Sequence, residues 1–219
     1  LFKKEKKDIY TLNIGGISNV CKISYNIKKH DVLGFDTGPG MALIDEFVKI
    51  IWNKSMDYNG KYSSRGKIIT KLENDLLSHP FIMDKPPKST GRNEFGSKMI
   101  NRILNNYNHL NNTDIIRTLV SFTAKSIWKN FEKFLKFNMN NSTVFINGGG
   151  CHHPILMKDL KQNMQINRFE DLKTLGIHPD NKESLLIATL ALCRYLKIPS
   201  NMTGVTGSNR DIVLGNILN

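Results

Sequence analysis

Ile9-Tyr10-Thr11-Leu12-Asn13-Ile14-Gly15-Gly16 is the stretch on which the fold prediction rests. Its first six residues are mostly β-branched, aromatic or aliphatic, as in a strand, and the glycine pair favours a tight turn. A second strand is expected over residues 20–25, so the two strands form a predicted hairpin. A third strand, Val32-Leu33-Gly34-Phe35, runs into the breaker-rich turn Asp36-Thr37-Gly38-Pro39-Gly40. The chain therefore opens with a predicted three-stranded meander.

Helical patterns dominate the rest of the chain, with apolar residues recurring every three or four positions. Helices are predicted over residues 43–51, 72–77, 95–107 and 113–134, from Pro154 onward, and over 182–196. The last of them places Leu186, Leu190 and Cys193 on its apolar face. One more strand, residues 143–146, precedes Gly148-Gly149-Gly150. Strands that alternate with helices after a meander predict an α/β fold.

The composition is that of an ordinary soluble globular protein, with 40% apolar and 23% charged residues. Lys and Arg outnumber Asp and Glu by 31 to 19, a net charge of +12. Because most of these cations are scattered lysines, whereas nucleic-acid grooves favour Arg, a nucleic-acid-binding role is disfavoured. No stretch approaches the roughly 18 apolar residues that a membrane span needs. The three distant cysteines argue against a disulfide framework and fit a reducing cytoplasm.

Three glycine-rich turns each follow a predicted strand: Gly15-Gly16, Gly38-Pro39-Gly40 and Gly148-Gly149-Gly150. Backbone amides bared by glycine can donate hydrogen bonds to phosphate oxygens, especially beside a helix N-terminus. None of the three matches the GxxxxGK[ST] or GxGxxG pattern, and each taken alone is better explained by a plain tight turn. Together they favour an enzyme that handles phosphate.

Asp36 is the best single candidate for chemistry, because it ends an apolar strand and stands before a turn. Ligands of α/β sheets gather beyond the carboxyl ends of strands, where a carboxylate can accept a proton from water or a hydroxyl. An Asp that caps its own turn explains the same pattern equally well. The run Cys151-His152-His153 is not predicted to bind a metal, because adjacent side chains diverge and one ion could not easily take all three.

At these motifs the sequence resembles the anhydro-N-acetylmuramic acid kinase family. The matching motifs, in the family's order, are Leu12-Asn13-Ile14-Gly15-Gly16-Ile17-Ser18-Asn19, Gly34-Phe35-Asp36-Thr37-Gly38-Pro39-Gly40, Pro86-Pro87-Lys88-Ser89-Thr90-Gly91-Arg92, Asn147-Gly148-Gly149-Gly150, His178-Pro179-Asp180 with Glu183, and Val205-Thr206-Gly207-Ser208 through Leu214-Gly215. They cover nearly the whole chain from Ile9, and so many long motifs are not expected by chance.

The resemblance implies an actin-like/sugar-kinase (ribonuclease H-like) fold of two lobes with ATP in the cleft, of which this chain would be mostly the C-terminal lobe. Such kinases use ATP and Mg²⁺ to convert 1,6-anhydro-N-acetylmuramic acid to N-acetylmuramic acid 6-phosphate, opening the anhydro ring with water during peptidoglycan recycling. The expected partners are therefore the amino sugar and ATP, with no nucleic acid and no membrane, and a homodimer stays open.

The same resemblance implies roles for individual residues. Asp36 matches the catalytic base, which would deprotonate the water that attacks C1, and Glu183 matches a substrate-positioning carboxylate. Gly148, Gly149 and Gly150 match the turn against the nucleotide, and the Gly15-Gly16 hairpin resembles a second phosphate-facing turn. For Glu183 the residues alone favour a first-turn helix acid.

The sequence departs from the family's pattern at three places. Met41 stands where the family usually has Asn, and Cys151-His152-His153 stands where Ala-x-Asn is expected. The family's Gly-Thr-Ser-Leu-Asp-Gly phosphate loop has no counterpart before Ile9, so residues 1–219 are expected to be an N-terminally incomplete member. The alternative function is a catalytically inactive remnant, or a fragment that requires a partner.

Overall fold

A computed structural model describes residues 7–25, 32–167, 169–176 and 181–217. Its five strands are β1 (Asp8–Ile14), β2 (Ile17–Ile23), β3 (Leu33–Pro39), β4 (Ser142–Asn147) and β5 (Glu170–Asp171). They form one sheet in the order β3-β2-β1-β4-β5. The first three strands pair antiparallel, whereas β4 pairs parallel with β1, and β5 with β4. This confirms the predicted meander and the α/β class.

Helices surround the sheet. They are α1 (Ala42–Trp52), α2 (Thr70–Leu77), α3 (Pro80–Met83), α4 (Ser97–Asn106), α5 (Asn112–Leu135), α6 (Pro154–Met164), α7 (Lys182–Tyr195) and α8 (Thr203–Thr206). All six helices expected from periodicity are confirmed to within a few residues. The sequence pattern does not predict the four-residue helices α3 and α8, because one turn is too short to show a period. Within the described part of the chain, no helix has the length and apolar character to span a membrane.

The third strand is longer than predicted. It continues through Asp36 to Pro39, so Asp36 lies inside β3 and does not end it. Pairing with β2 persists past a register shift between Ser18 and Asn19, which lets the strand bend and stay bonded. Because β3 is at the end of the sheet order, its proline needs no ladder partner on the outer side.

The main core lies between one face of the sheet and the helices. Tyr10, Leu12 and Ile14 alternate along β1 and are fully buried in it, and α5 is buried along most of its length. The polar residues of α5 bind the end of β3: Ser126 Oγ and Asn130 Nδ2 donate to the Thr37 carbonyl at 2.6 and 3.1 Å. The next residue, Gly38, has φ +123°, and a Cβ there would collide with Ser126. The helix therefore fixes the end of the strand that carries Asp36.

A buried Asp–His pair joins the loop before α2 to the start of α6. His153 Nε2 lies 3.1 Å from Asp57 Oδ2, and His153 Nδ1 accepts a hydrogen bond from the Leu156 amide at 3.2 Å. Because Nδ1 is an acceptor, Nε2 carries the proton and donates it to Asp57. Burial by itself would raise the pKa of Asp57, but hydrogen bonds from His153, Ser63 and the Tyr62 amide outweigh it and hold that pKa below its usual value. His153 therefore caps α6 and anchors the loop.

Replacing this histidine tests the anchor. His153→Ala removes the side-chain partner of a buried carboxylate and leaves it only its backbone hydrogen bonds, so we expect the free energy of unfolding to fall by about 2–4 kcal/mol. The measurement is urea unfolding at pH 7, followed by tryptophan fluorescence. The control is His152→Ala, because His152 is the exposed neighbour and its loss should change stability by no more than about 0.5 kcal/mol. Equal losses for the two variants would contradict the anchoring role.

Candidate active site

The three glycine-rich turns meet at one edge of the sheet. Strands β1 and β4 are parallel, and β3 runs in the same direction as β1, so all three strands end at this edge. Gly40 N donates to Gly16 O at 2.9 Å, and a Cβ on Gly40 would collide with the Gly15 carbonyl. Gly148 also lies close to the end of β1, since a Cβ added at this position would be 2.5 Å from the Ile14 carbonyl oxygen. The predicted turns thus form a single loop cluster.

The Gly15-Gly16 hairpin turns its carbonyls towards α1. Gly15 O accepts from Met41 N at 2.8 Å, and Gly16 O accepts from Ala42 N at 3.0 Å. The first amides of α1 are therefore bound within the protein. The outer side of the hairpin carries a cation, because the Arg92 guanidinium lies 3.4 Å from where a Gly16 Cβ would stand. The phosphate-facing role of the hairpin stays a prediction, and the sequence pattern did not reveal that Arg92 lies beside it.

The three glycines after β4 differ in their surroundings. Gly148 has φ +88°, and Gly150 packs so tightly on Ile14 that a Cβ would collide with its side chain. These two glycines serve close packing against β1. Gly149 is exposed, and a Cβ at this residue would meet no atom within 4 Å. It is the member of the turn that is open to an approaching ligand.

Asp36 is held by residues more than fifty positions away in the chain. Its amide donates to the Lys88 carbonyl at 3.1 Å. Its carboxylate oxygen Oδ2 accepts from Ser89 Oγ and from the Thr90 amide, each at 2.9 Å. No hydrogen bond to Oδ1 occurs among the described residues. One oxygen is thus fixed and the other is available, which suits a general base.

Asp36 lines a cavity of about 290 Å³ beside strands β2 and β3. The other lining residues are Asn19, Val20, Cys21, Gly34, Phe35, Lys88, Ser89 and Val205. Val205 comes from α8 and reaches within 3.1 Å of where a Gly34 Cβ would stand. Burial raises the pKa of the Cys21 thiol to about 11, so this cysteine is not a nucleophile near neutral pH. Among the lining residues, Asp36 therefore supplies the carboxylate that can act as a base near neutral pH.

Lys88 anchors the segment that positions Asp36. Its Nζ donates to the Phe81 and Ile82 carbonyls at 2.8 and 3.2 Å, and lies 4.6 Å from the centre of the Phe81 ring. Burial lowers the pKa of Lys88 to about 8, although the nearby carboxylates of Asp84 and Asp36 oppose the change. The side chain ties residues 88–90 to α3, a contact that the sequence pattern did not reveal.

Glu183 lies apart from this cavity. It stands in the first turn of α7 with an exposed side chain, and it is not one of the cavity's lining residues. The motif His178-Pro179-Asp180, which precedes it, lies outside the described residues. Its substrate-positioning role stays a prediction.

A second acidic group lies beneath the loop cluster. Asp45, in the first turn of α1, has its Oδ1 buried with no hydrogen-bond partner in the described part of the chain. Burial raises the pKa of Asp45 to about 6, against the opposing pull of Arg92 and His153. Asp45 also borders a cavity of about 490 Å³ that Glu46, Lys49 and Arg92 help to line. From the sequence, Asp45 is simply an acidic residue in the first turn of a helix, and its buried oxygen is visible only in the structure.

Comparison with known proteins gives a consistent result. The sequence model of the anhydro-N-acetylmuramic acid kinase family matches residues 1–219. Curated proteins of that name from Clostridioides difficile (strain 630), Bacillus cereus (strain G9842) and Bacillus anthracis (strain A0248) are 36%, 32% and 34% identical over 217, 219 and 222 residues. Each match covers 99% of this chain and 57% of the relative. The chain thus spans little more than half the length of these relatives.

Among solved structures, the activator of 2-hydroxyisocaproyl-CoA dehydratase from Clostridium difficile with bound ADPNP is similar at 14% identity and a TM-score of 0.44. The match covers 76% of this chain and 54% of that chain.

The carboxyl of Asp45 predicts a pH dependence of stability. Its folded-state pKa, about 6, exceeds the ordinary 3.8, so its stabilising contribution is complete below pH 3.8 and is lost as pH rises through 6. Because asparagine does not ionise, Asp45→Asn should remove this fall in the free energy of unfolding as the pH rises. Allowing for solvent screening of a half-exposed group, we expect the variant to gain about 1 kcal/mol relative to the parent chain between pH 4 and pH 7.

Urea unfolding at the two pH values measures this gain. Lys49→Gln is the control, because it alters the same cavity without removing a carboxyl group. A gain that is absent, or that Lys49→Gln reproduces, would show that Asp45 is not its source.

Proposed function

The chain belongs to the anhydro-N-acetylmuramic acid kinase family, and we propose that it supplies the general base and one nucleotide-facing turn of such an enzyme. The proposed reaction converts 1,6-anhydro-N-acetylmuramic acid to N-acetylmuramic acid 6-phosphate. Water adds at C1, the bond between C1 and O6 breaks, O6 takes the γ-phosphoryl group of ATP, and ADP leaves. We place this reaction in the cytoplasm, with the amino sugar and ATP as partners; a homodimer stays a prediction.

The observation that carries the proposal is the fixed orientation of Asp36. Ser89 and Thr90 both bind Oδ2, so the carboxylate cannot rotate freely and Oδ1 faces no competing donor among the described residues. A base held in this way accepts a proton from water without first having to reorient. The adjoining cavity of about 290 Å³ is near the lower end of the range for small-ligand sites.

The nucleotide is proposed to lie against the turn after β4. Gly149 is exposed and unobstructed, so the backbone there can approach a ligand closely, and Arg92 at the neighbouring hairpin adds positive charge. Mg²⁺ is proposed to accompany ATP. Within the described residues no three His, Cys, Asp or Glu side chains gather to hold a metal, and Mg²⁺ in kinase sites is bound largely through substrate phosphates. An ion bound there would supply positive charge to the phosphates.

Asp36→Asn tests the base. The variant keeps the size and most contacts of the side chain but cannot take a proton, so we expect turnover to fall by roughly 10²–10⁴-fold. Turnover is measured with radiolabelled ATP and the anhydro sugar, in this chain joined to the segment of the Clostridioides difficile relative that it does not match. Asp75→Asn, at an exposed carboxylate remote from the cavity, is the control. Retention of more than half the parent rate by Asp36→Asn would refute the assignment.

The nucleotide-facing turn is tested by two glycine variants. Gly149→Val adds a side chain where the structure leaves open space, so it should raise KM for ATP several-fold while KM for the sugar stays near its parent value. Gly150→Ala should instead destabilise the fold, because its Cβ collides with Ile14. Steady-state kinetics and thermal unfolding of both variants separate these effects. A raised sugar KM with an unchanged ATP KM in Gly149→Val would place the nucleotide elsewhere.

A further inference from the structure

The ammonium group of Lys88 lies among three aromatic rings. Its Nζ is 4.6 Å from the ring centre of Phe81, 5.1 Å from that of Phe134 and 5.9 Å from that of Phe35. A cation within about 6 Å of a ring centre is attracted by the negative face of the ring, more strongly where water is displaced. The rings belong to α3, α5 and β3, so a single charge contacts three elements of the fold.

Two backbone carbonyls add to the contacts of this ammonium. Lys88 Nζ donates to the carbonyls of Phe81 and Ile82 at 2.8 and 3.2 Å. A hydrogen bond from a charged donor is about twice as strong as one from a neutral donor, and a neutral amine loses its attraction to the ring faces. Loss of the proton therefore weakens all contacts of Nζ together, although the stem of the side chain stays in place.

The backbone of Lys88 extends these contacts to the proposed base. Its carbonyl accepts from the Asp36 amide at 3.1 Å, and the next two residues, Ser89 and Thr90, each donate to the Asp36 carboxylate at 2.9 Å. Phe35, which contributes one of the three rings, directly precedes Asp36 in β3. The ammonium thus contacts both the strand that carries the base and the segment that orients it.

We propose that the charge of Lys88 keeps Asp36 oriented, and that loss of this charge at alkaline pH limits the proposed reaction. Lys88 is then a positioning residue that acts on the base through Ser89 and Thr90. The inference rests on the proposed role of Asp36 as the base. The competing explanation is that the stem of Lys88 merely fills the space between the rings, in which case its charge is not needed.

Burial brings the loss of the Lys88 proton close to neutral pH. It lowers the pKa of Lys88 from the ordinary 10.5 to about 8. Of the charged groups that act on Lys88, Asp84 at the end of α3 and Asp36 on β3 raise this pKa, whereas Lys133 on α5 lowers it. Lys88 is therefore charged below pH 8 and loses its charge as the pH rises through this value. Asp84 and Lys133 both lie outside the candidate site, so each can be changed separately.

The pH dependence of steady-state kinetics tests the proposal, in the same joined protein that tests Asp36→Asn. In the parent, kcat should fall above pH 8 by up to about tenfold for each pH unit, while KM for the sugar changes little. Lys88→Met keeps nearly the length of the stem but not the charge, so kcat should be at least about tenfold lower below pH 8, with no further fall above it. A parent without the alkaline fall, a Lys88→Met variant with the parent rate, or the same fall in that variant would overturn the proposal.

Two further variants distinguish a charge effect from a packing effect. Asp84→Asn removes a charge that raises the Lys88 pKa, so the fall in kcat should move to lower pH. Lys133→Met removes a charge that lowers this pKa, so the fall should move to higher pH. Both variants should keep nearly the parent rate at pH 6, where Lys88 is charged in each. Any other pair of shifts would contradict the proposal.

Nuclear magnetic resonance separates this inference from the proposed reaction. The Asp36 and Thr90 amides both donate in the hydrogen bonds that hold the base, so in this chain alone their signals should shift with a common midpoint near pH 8. Lys88→Met should abolish this transition. If the transition occurs but Asp36→Asn stays active, the assignment of the base is wrong and the positioning by Lys88 still holds. If neither amide responds near pH 8, Lys88 does not control the orientation of Asp36, whatever the rate of turnover.

Discussion

Close backbone packing around Ile14 and Gly15, at the carboxyl end of the central strand, sets the positions of the loops that form the candidate site. Gly40 lies against the Gly15 carbonyl, Gly148 against the Ile14 carbonyl, and Gly150 against the Ile14 side chain. A Cβ at any of these glycines would push two elements apart. Since β1 pairs with both β2 and β4, this packing reaches both halves of the sheet. The start of α1 and the turn after β4 therefore share one reference point.

The sequence predicts most of this fold because its longer elements have a clear period. The meander, the strand before the triple glycine and the six longer helices follow from local patterns, and the structure confirms them. The elements that local patterns miss are short: β5 has two residues and α3 and α8 have four each, so no period develops. The predicted end of β3 comes too early because glycine and proline usually break strands. Here α5 binds the Thr37 carbonyl, and Ser18 Oγ donates to the Gly38 and Pro39 carbonyls, so the strand continues through them.

The arrangement of the candidate site is harder to predict from local sequence patterns, because contacts between distant parts of the chain form it. Asp36 stands out in the sequence, but its binding to Ser89 and Thr90 joins residues 53 and 54 positions apart. A run of three glycines does not show that Gly148 and Gly150 serve packing while Gly149 stays open. Lys88 cannot be told from the many other lysines until its burial against Phe81 is known. Helix α7 is predicted from the sequence, but the exposure of Leu186 on its predicted apolar face is visible only in the structure.

The segment that carries Lys88 and Ser89 has a second consequence through its place beside β3. As the outermost strand of the sheet, β3 would present unpaired backbone groups to other molecules, and such edges promote aggregation. At that edge, the Lys88 carbonyl accepts a hydrogen bond from the Asp36 amide. The same residues therefore orient the proposed base and blunt the edge of the sheet. A substitution that detaches this segment would release the Asp36 carboxylate and expose the unpaired edge of β3 to other molecules. Loss of activity and loss of solubility are therefore expected to arise together.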